Sequence, residues 1–430
     1  LKIMKRFQKY FTKFLRIIIS GSLRHLLFRL IGLNNYISLI LKVVDHRGNQ
    51  RAKKNILCIE RRLFEKDIDE LSNRIRKYGW IWLRKNQITV YQVPILPKGH
   101  LKQTEYLNKI KEAPQQWKEC IRRSKILIKR FQNEHNICAL MLGNLDYWQD
   151  FTLRVACIEL GIPVLVLQKE YPYYDSLVDK YLEHWRKYNY KPNADAIMVF
   201  GKKMKEGYSR IAGFDVNKVF VTGSPRIDRW RSIENNSQST NEGLVIISFM
   251  LRGVADESFL NMLIKISKYF KSENLGKITV KNREQTDQKI IMDFCKKENL
   301  ENIDVVQNIS LCDLVSQSKA VIALNSLATI ESMLSKKPIL VPDWFIKNKD
   351  EKLFDSNDKL SQTVVKLCMK EQDLLNNIGQ IFKNTNSDVS EECMKARREF
   401  IGKFWEYDDN ETACSKVQRV IDNFVEGVSN

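Results

Sequence analysis

From position 55 to about position 342 the chain repeats one unit: a short apolar run, a longer polar run with helical spacing, then another apolar run. In the first half, "NILCIERR" (55–62), "ITVYQVPIL" (88–96), "NICALMLGN" (136–144), "IPVLVLQKE" (162–170), "ADAIMVFG" (194–201) and "VFVTGSPRID" (219–228) read as strands. No hairpin signal joins neighbours among them, so a mainly parallel sheet with helices on both faces is expected. Gly161 stops the helix read over 147–161, and Pro163 lets the next strand begin.

The stretch "RSIENNSQSTNEG" (231–243) interrupts the apolar pattern and reads as a linker. Beyond it a second series starts, with strands at "LVIISFM" (244–250), "KITVKNRE" (277–284), "IDVVQN" (303–308), "AVIALNS" (320–326) and "PILVPDW" (338–344). A chain of 430 residues is too long for one ordinary core and comfortable for two. The expected fold class is therefore α/β with two Rossmann-like lobes, divided as a basic segment 1–54, a first lobe 55–235, a second lobe 236–375 and C-terminal helices 376–430 that pack back across the lobes.

The formal net charge is +20, and residues 1–54 hold thirteen Lys/Arg against the single acid Asp45. Ile3, Phe7, Phe11, Phe14 and Ile18 recur at steps of three or four, with Lys5, Arg6, Lys9, Lys13 and Arg16 on the other faces. A basic amphipathic helix of this kind suits the headgroup layer of an anionic membrane; a solvated basic helix or a nucleic-acid arm are the competing readings. The apolar run "LIGLNNYISLIL" (30–41) falls short of the roughly 20 residues a membrane span needs. With no secretory cleavage site at the start and 9 cysteines lacking any CxxC spacing, a reduced protein on the cytoplasmic side, held peripherally at the inner membrane face, is expected.

Ligands of open α/β sheets bind beyond the carboxyl ends of the strands, which singles out the residues that follow each apolar run. Asn325 and Ser326 stand where they can cap a helix whose N-terminus favours phosphate. Glu331 falls about 140° around that helix from Ser326, and an early glutamate also serves simply to balance the helix dipole. Lys281 and Arg283 share one face if extended and suit a diphosphate, or else form a solvated strand end. In the first lobe Asn144, Tyr147, Trp148 and Tyr173 supply polar and aromatic groups for an acceptor. Asp146 and Glu170 are the general-base candidates, each equally able to serve as a helix cap or ion-pair partner. The absence of GxGxxG, P-loop, GxSxG and HExxH patterns removes support for dinucleotide redox chemistry, NTP hydrolysis, serine hydrolysis and zinc proteolysis. No His/Asp/Glu cluster with metal-ligand spacing is evident, so no metal and no separate cofactor are expected.

"VFVTGSPRIDRW" together with "ITVKNRE" and "AVIALNSLATIESMLSKKPILVP" resembles GT-B-type glycosyltransferases of bacterial surface and capsular polysaccharide synthesis. It is also similar to the related CDP-glycerol glycerophosphotransferases, in which a Gly-x-Pro-Arg-x-Asp turn ends the first lobe. The resemblance covers residues 135–345 or so and implies a nucleotide-activated sugar held by the second lobe, a glycan or lipid-linked acceptor entering from the first, and chemistry in the cleft between. It implies donor phosphate at Asn325 and Ser326, the nucleotide ribose at Glu331, and donor charge met by Lys281 and Arg283. Arg226 is either a further donor-phosphate contact or the partner of Asp228 in a structural turn, and turn-forming Gly223 and Pro225 favour the turn. Many relatives carry His-Gly where this chain has Gln168-Lys169-Glu170, and Lys-x-His where it has Lys281-Asn282-Arg283. The rival readings are a CDP-polyol phosphotransferase, a nucleotide-sugar epimerase of similar fold, and a non-catalytic basic adaptor. Nucleic acid is not an expected partner, because the positive charge is confined to an amphipathic segment with no nucleic-acid fold motif after it.

Overall fold

The computed structural model describes residues 23–61, 64–96, 106–145, 147–169, 193–211, 213–231, 243–250, 254–346, 352–384, 388–407 and 410–427, with positions 15, 17–19, 21, 182, 183 and 187. All but the two end residues of the expected linker at 231–243, and the amphipathic pattern over residues 1–14, lie outside them. The chain divides into two compact units, Leu1–Arg226 with Asp408–Asn430, and Ile227–Tyr407. The division falls between Arg226 and Ile227, directly after the Gly-Ser-Pro-Arg turn.

In the first unit the elements are α1 (Arg24–Val43), β1 (Asp45–Gly48), β2 (Asn55–Ile59), α2 (Phe64–Arg74), β3 (Gly79–Leu83), α3 (Lys85–Gln92), α4 (Tyr106–Glu112), α5 (Pro114–His135), β4 (Ile137–Leu142), α6 (Trp148–Glu159), β5 (Val164–Leu167), β6 (Ala196–Val199), α7 (Lys202–Ser209) and β7 (Val219–Val221). The second unit comprises β8 (Gly243–Ile247), α8 (Glu257–Ser272), β9 (Ile278–Lys281), α9 (Gln285–Lys297), β10 (Ile303–Val306), α10 (Leu311–Ser316), β11 (Ser318–Ile322), α11 (Leu327–Ser332), β12 (Ile339–Pro342), α12 (Lys359–Val364), β13 (Lys366–Cys368), α13 (Glu371–Lys383) and α14 (Glu391–Gly402). The last helix, α15 (Ala413–Glu426), returns to the first unit.

The first sheet has the order β1-β3-β2-β4-β5-β6-β7, parallel except for β1, which runs antiparallel to β3. Strands β3 and β5 are buried at every residue, as strands covered on both faces must be. One core packs Ile56, Trp80, Met141, Leu165 and Met198 of the sheet with Phe64 and Ile68 of α2 and with Val417 and Ile421 of α15. Lys77 and Tyr78 tie α15 in place through Asp422. The second sheet, β10-β9-β8-β11-β12-β13, is parallel throughout, and its core joins β8, β9 and β11 to α8, α9 and α13. Asp256 starts α8 by accepting a hydrogen bond from the Phe259 amide at 3.1 Å.

Arg397 of α14 is 1% exposed and donates from Nε to the Val364 carbonyl and from its two terminal nitrogens to those of Ser335 and Lys337. Burial pushes its pKa down to about 10. Three backbone acceptors thereby replace the carboxylate that a buried guanidinium usually needs.

Two elements depart from the sequence reading. The run "ITVYQVPIL" is not a strand: residues 85–92 form α3, and the strand is "GWIWL" just before it. The Gln87 side chain accepts from the Arg84 amide at 2.9 Å, a helix-starting contact that decides the ambiguity of a short β-branched run. The N-terminal apolar run is also longer than expected. Helix α1 has 20 residues, and its most apolar 18-residue stretch has a mean hydropathy of 1.4, long and apolar enough to cross a membrane by those two criteria. It breaks at Gly32, whose φ of 73° is outside the helical region. Beyond the break Tyr36, Ile37, Ile40, Leu41 and Val43 are buried.

Candidate functional site

A right-handed parallel sheet leaves its carboxyl edge open to side chains from the loops, and both units collect polar groups there. In the first unit β2, β4, β5, β6 and β7 hand over to Glu60-Arg61, Gly143-Asn144, Gln168-Lys169, Phe200-Gly201 and Thr222-Gly223-Ser224. Arg61 forms a buried ion pair with Asp150 from the first turn of α6, their side chains 7% and 3% exposed. The Arg61 guanidinium lies 4.4 Å from the Tyr147 ring centroid and the Lys169 ammonium 5.4 Å from the same centroid, so two cations share one aromatic ring. Burial raises the Asp150 carboxyl above the ordinary carboxylate range, against the opposing pull of Arg61. Asn144, Gln168 and Lys169 are all buried beside this group.

Among the described residues, Arg61 Nε, Asp150 Oδ2 and Gln168 Nε2 are buried without a hydrogen-bond partner. Native proteins pair nearly all such atoms, so three at one sheet edge mark a place where a ligand or water completes the hydrogen bonding. Glu60 adds a carboxyl that the sequence reading missed. Burial raises its pKa, with Arg84 opposing, and a carboxyl poised upward at a strand end is suited to proton transfer. The only signal for it was its place immediately after an apolar strand.

Of the expected acceptor and base residues, Asp146, Glu170 and Tyr173 lie outside the described residues. Tyr147 and Asn144 sit in the group just described. Trp148 instead packs against the apolar cluster of Tyr106, Trp117 and Phe151.

Arg226 does not pair with Asp228. It is 8% exposed, its backbone amide and guanidinium both donate to Asp67 of α2, and Ser224 Oγ donates to Asp67 at 2.8 Å. Its terminal nitrogens also reach the Lys169 carbonyl, each at 3.3 Å. A positive φ of 76° at Gly223 makes the bend that turns the chain toward Asp67. The arginine thereby braces the turn and holds the Lys169 backbone, while Asp228 lies 3.7 Å from Arg231.

Gly143 keeps the lysine in place by absence of a side chain. A Cβ there would lie 3.1 Å from Lys169 Cδ and 3.3 Å from Phe64 Cβ. Gly143→Ala is expected to destabilise the first unit by about 1–2 kcal/mol, because crowding at a packed site outweighs the smaller gain from a stiffer unfolded chain. A thermal melt reads this as a midpoint lower by a few degrees, and an unchanged midpoint would show that the site has room to spare.

In the second unit Lys281 ends β9, and its ammonium donates to the carbonyl oxygens of Asn282 and Gln307. Those contacts hold the charge at the carboxyl edge, with the exposed Arg283 next along the chain. Between them Asn282 is 2% exposed, and its Oδ1 is buried without a partner among the described residues. After β11, Asn325 Oδ1 accepts from the Leu353 amide at 3.2 Å, and Ser326 caps α11 by accepting from the Thr329 amide at 3.2 Å. Both expected phosphate contacts thus have work within the fold, and α11 is only 6 residues long. Glu331 is half-buried on the same helix. The sequence reading also missed an aromatic group at the carboxyl edge of the same sheet. Phe345 lies 4.9 Å from Phe249 and 5.3 Å from Trp344, half-buried rings that follow β8 and β12. Its signal was "PDWF" directly after a strand.

No protein-family model matches the chain, and no curated protein sequence matches it. Among solved structures, the "putative UDP-N-acetylglucosamine 2-epimerase" of Listeria monocytogenes aligns over 88% of this chain and 98% of its own, at 13% identity and a TM-score of 0.53. A UDP-GlcNAc 2-epimerase from Neisseria meningitidis, bound to UDP-GlcNAc, aligns over 87% of this chain and all of its own, at 12% identity and a TM-score of 0.48. TarM of S. aureus, in complex with Fondaparinux, alpha-GlcNAc-glycerol and UDP, aligns over 71% of this chain and 59% of its own, at 16% identity and a TM-score of 0.42. The Listeria likeness spans both units, and the chain accordingly has an α/β fold of two Rossmann-like sheets, as in GT-B proteins.

Proposed function

We propose that the protein is a glycosyltransferase that moves a sugar from a nucleotide-activated donor to a hydroxyl of a glycan or lipid-linked acceptor of the cell surface. The observation that carries this reading is that each unit has its own polar group at the carboxyl edge of its sheet, with buried atoms lacking partners in both. Two such groups fit two substrates. Lys281 and Arg283 would meet the negative charge of the nucleoside diphosphate, and the half-buried rings of Trp344 and Phe345 offer a face for its base. Glu60, with its raised pKa, joins Asp146 and Glu170 as a candidate base. In the reaction the acceptor oxygen bonds to the anomeric carbon as the bond from that carbon to the diphosphate oxygen breaks. The hydroxyl proton passes to the carboxylate, and fixed cations balance the departing diphosphate without a metal.

A nucleotide-sugar epimerase is the second reading, supported by the likeness along the whole length of the Listeria structure, itself described as such an epimerase. Incubation with UDP-, GDP-, CMP- and CDP-linked sugars separates the two. A transferase is expected to release the donor's nucleotide (the nucleoside diphosphate, or CMP from a CMP-linked sugar) only when an acceptor is present, whereas conversion of the nucleotide-linked sugar with no acceptor would establish the epimerase. Absence of binding to every donor would remove both.

A further inference from the structure

We infer that the first half of α1 is a docking face for an anionic lipid surface. Leu23, Leu26 and Leu30 are 58%, 56% and 74% exposed, and their spacing of three and four places them on one side of the helical turns before Gly32. Ile17, just upstream, is 61% exposed. Large apolar side chains grouped this way on one helix face mark an interaction surface rather than ordinary scatter. The opposite side of the segment is occupied: Phe28 meets the Tyr36 ring edge to face at 5.5 Å, and the Tyr36 hydroxyl donates to the Ile19 carbonyl. Tyr36, itself buried beyond the Gly32 break, thus backs this segment on the side away from the leucines.

Charge complementarity selects the occupant. Arg24 and Arg29 stand within the same turns as the leucines, inside a segment with thirteen Lys/Arg and one acid. Apolar side chains framed by cations fit lipid headgroups that carry negative charge, with the leucines entering the acyl boundary and the cations meeting phosphate. Spanning the bilayer is a poorer fit, since the half of α1 beyond Gly32 is already buried in the first unit and would have to leave it. The role is independent of the sugar chemistry proposed above.

Flotation of the full chain with vesicles tests it. The chain is expected to float with phosphatidylcholine vesicles containing about 30% phosphatidylglycerol, and not with phosphatidylcholine alone. Addition of about 0.5 M salt should release it. Leu26→Glu with Leu30→Glu should weaken vesicle binding at least about tenfold. Both side chains are exposed, so the thermal midpoint and nucleotide binding of that variant should match the parent. Equal vesicle binding by the variant would overturn the inference, as would resistance to salt extraction. Absence of vesicle binding, with the leucines instead mediating self-association in sedimentation or contact with an oligonucleotide, would also overturn it.

Discussion

Asp67→Ala should lower the thermal midpoint of the first unit by roughly 10 °C, the equivalent of about 3–4 kcal/mol for a unit of this size. The carboxylate is fully buried and accepts hydrogen bonds from Ser224 Oγ, the Arg226 amide and the Arg226 guanidinium. Removing it takes away a counter-charge that the buried guanidinium holds at 3.4 Å and the acceptor of the Ser224 hydroxyl. That penalty is larger than the net worth of the pair while intact, because most of it is the desolvation of the charge left behind. Asp67→Ala combined with Arg226→Met should therefore be more stable than Asp67→Ala alone. Hydrogen exchange localises the effect: peptides from α2 and β7 should exchange faster, while those from β8 to β12 should not change. Equal midpoints for Asp67→Ala and the parent, or a double variant worse than the sum of its parts, would show that the contact does not hold the turn.

The same contact shows what could and could not be read from the chain. The bend at Gly223 and Pro225 was legible because it depends on local conformational preferences. The partner of Arg226 was not, since Asp67 lies 159 positions earlier and Asp228 only two positions later. Sequence proximity favoured the wrong acid. The strands that flank the polar groups were legible from their apolar runs, and so was the rule that polar residues follow them: it placed Asn144, Tyr147 and Lys281 at the carboxyl edges without a view of the sheet. Short polar strands escaped it. Strand β1, "DHRG", is kept in the sheet by Arg47, which pairs with Glu65 and Asp69 and lies 4.6 Å over the Trp82 ring. Burial was the other hidden quantity. The shift of Glu60 and the pairing of Arg61 with Asp150 depend on what covers them, and periodicity carries no record of that.

Lys281→Ala is expected to lower turnover with a nucleotide-sugar donor by about 10² to 10³-fold, the usual loss when a fixed group facing developing charge is removed. The loss should be felt in kcat more than in KM if the ammonium acts mainly on the leaving diphosphate, because its attraction grows as that charge develops. Folding should survive: Lys281 ends its strand, is half-buried, and its side chain bonds only to backbone carbonyls among its described contacts. Glu331→Ala supplies the contrast. If this carboxylate binds the nucleotide ribose, its removal costs one charge-assisted hydrogen bond in ground state and transition state alike. Donor affinity then falls by about tenfold, with kcat held. Calorimetric titration with UDP and the other nucleoside diphosphates measures the binding loss, and turnover at saturating donor measures the rest. A fall in kcat for Lys281→Ala with a fall only in affinity for Glu331→Ala would place leaving-group charge at β9 and nucleotide recognition on α11. Unchanged binding and turnover in both variants would remove the second unit's carboxyl edge as the donor site, whatever sugar the enzyme uses.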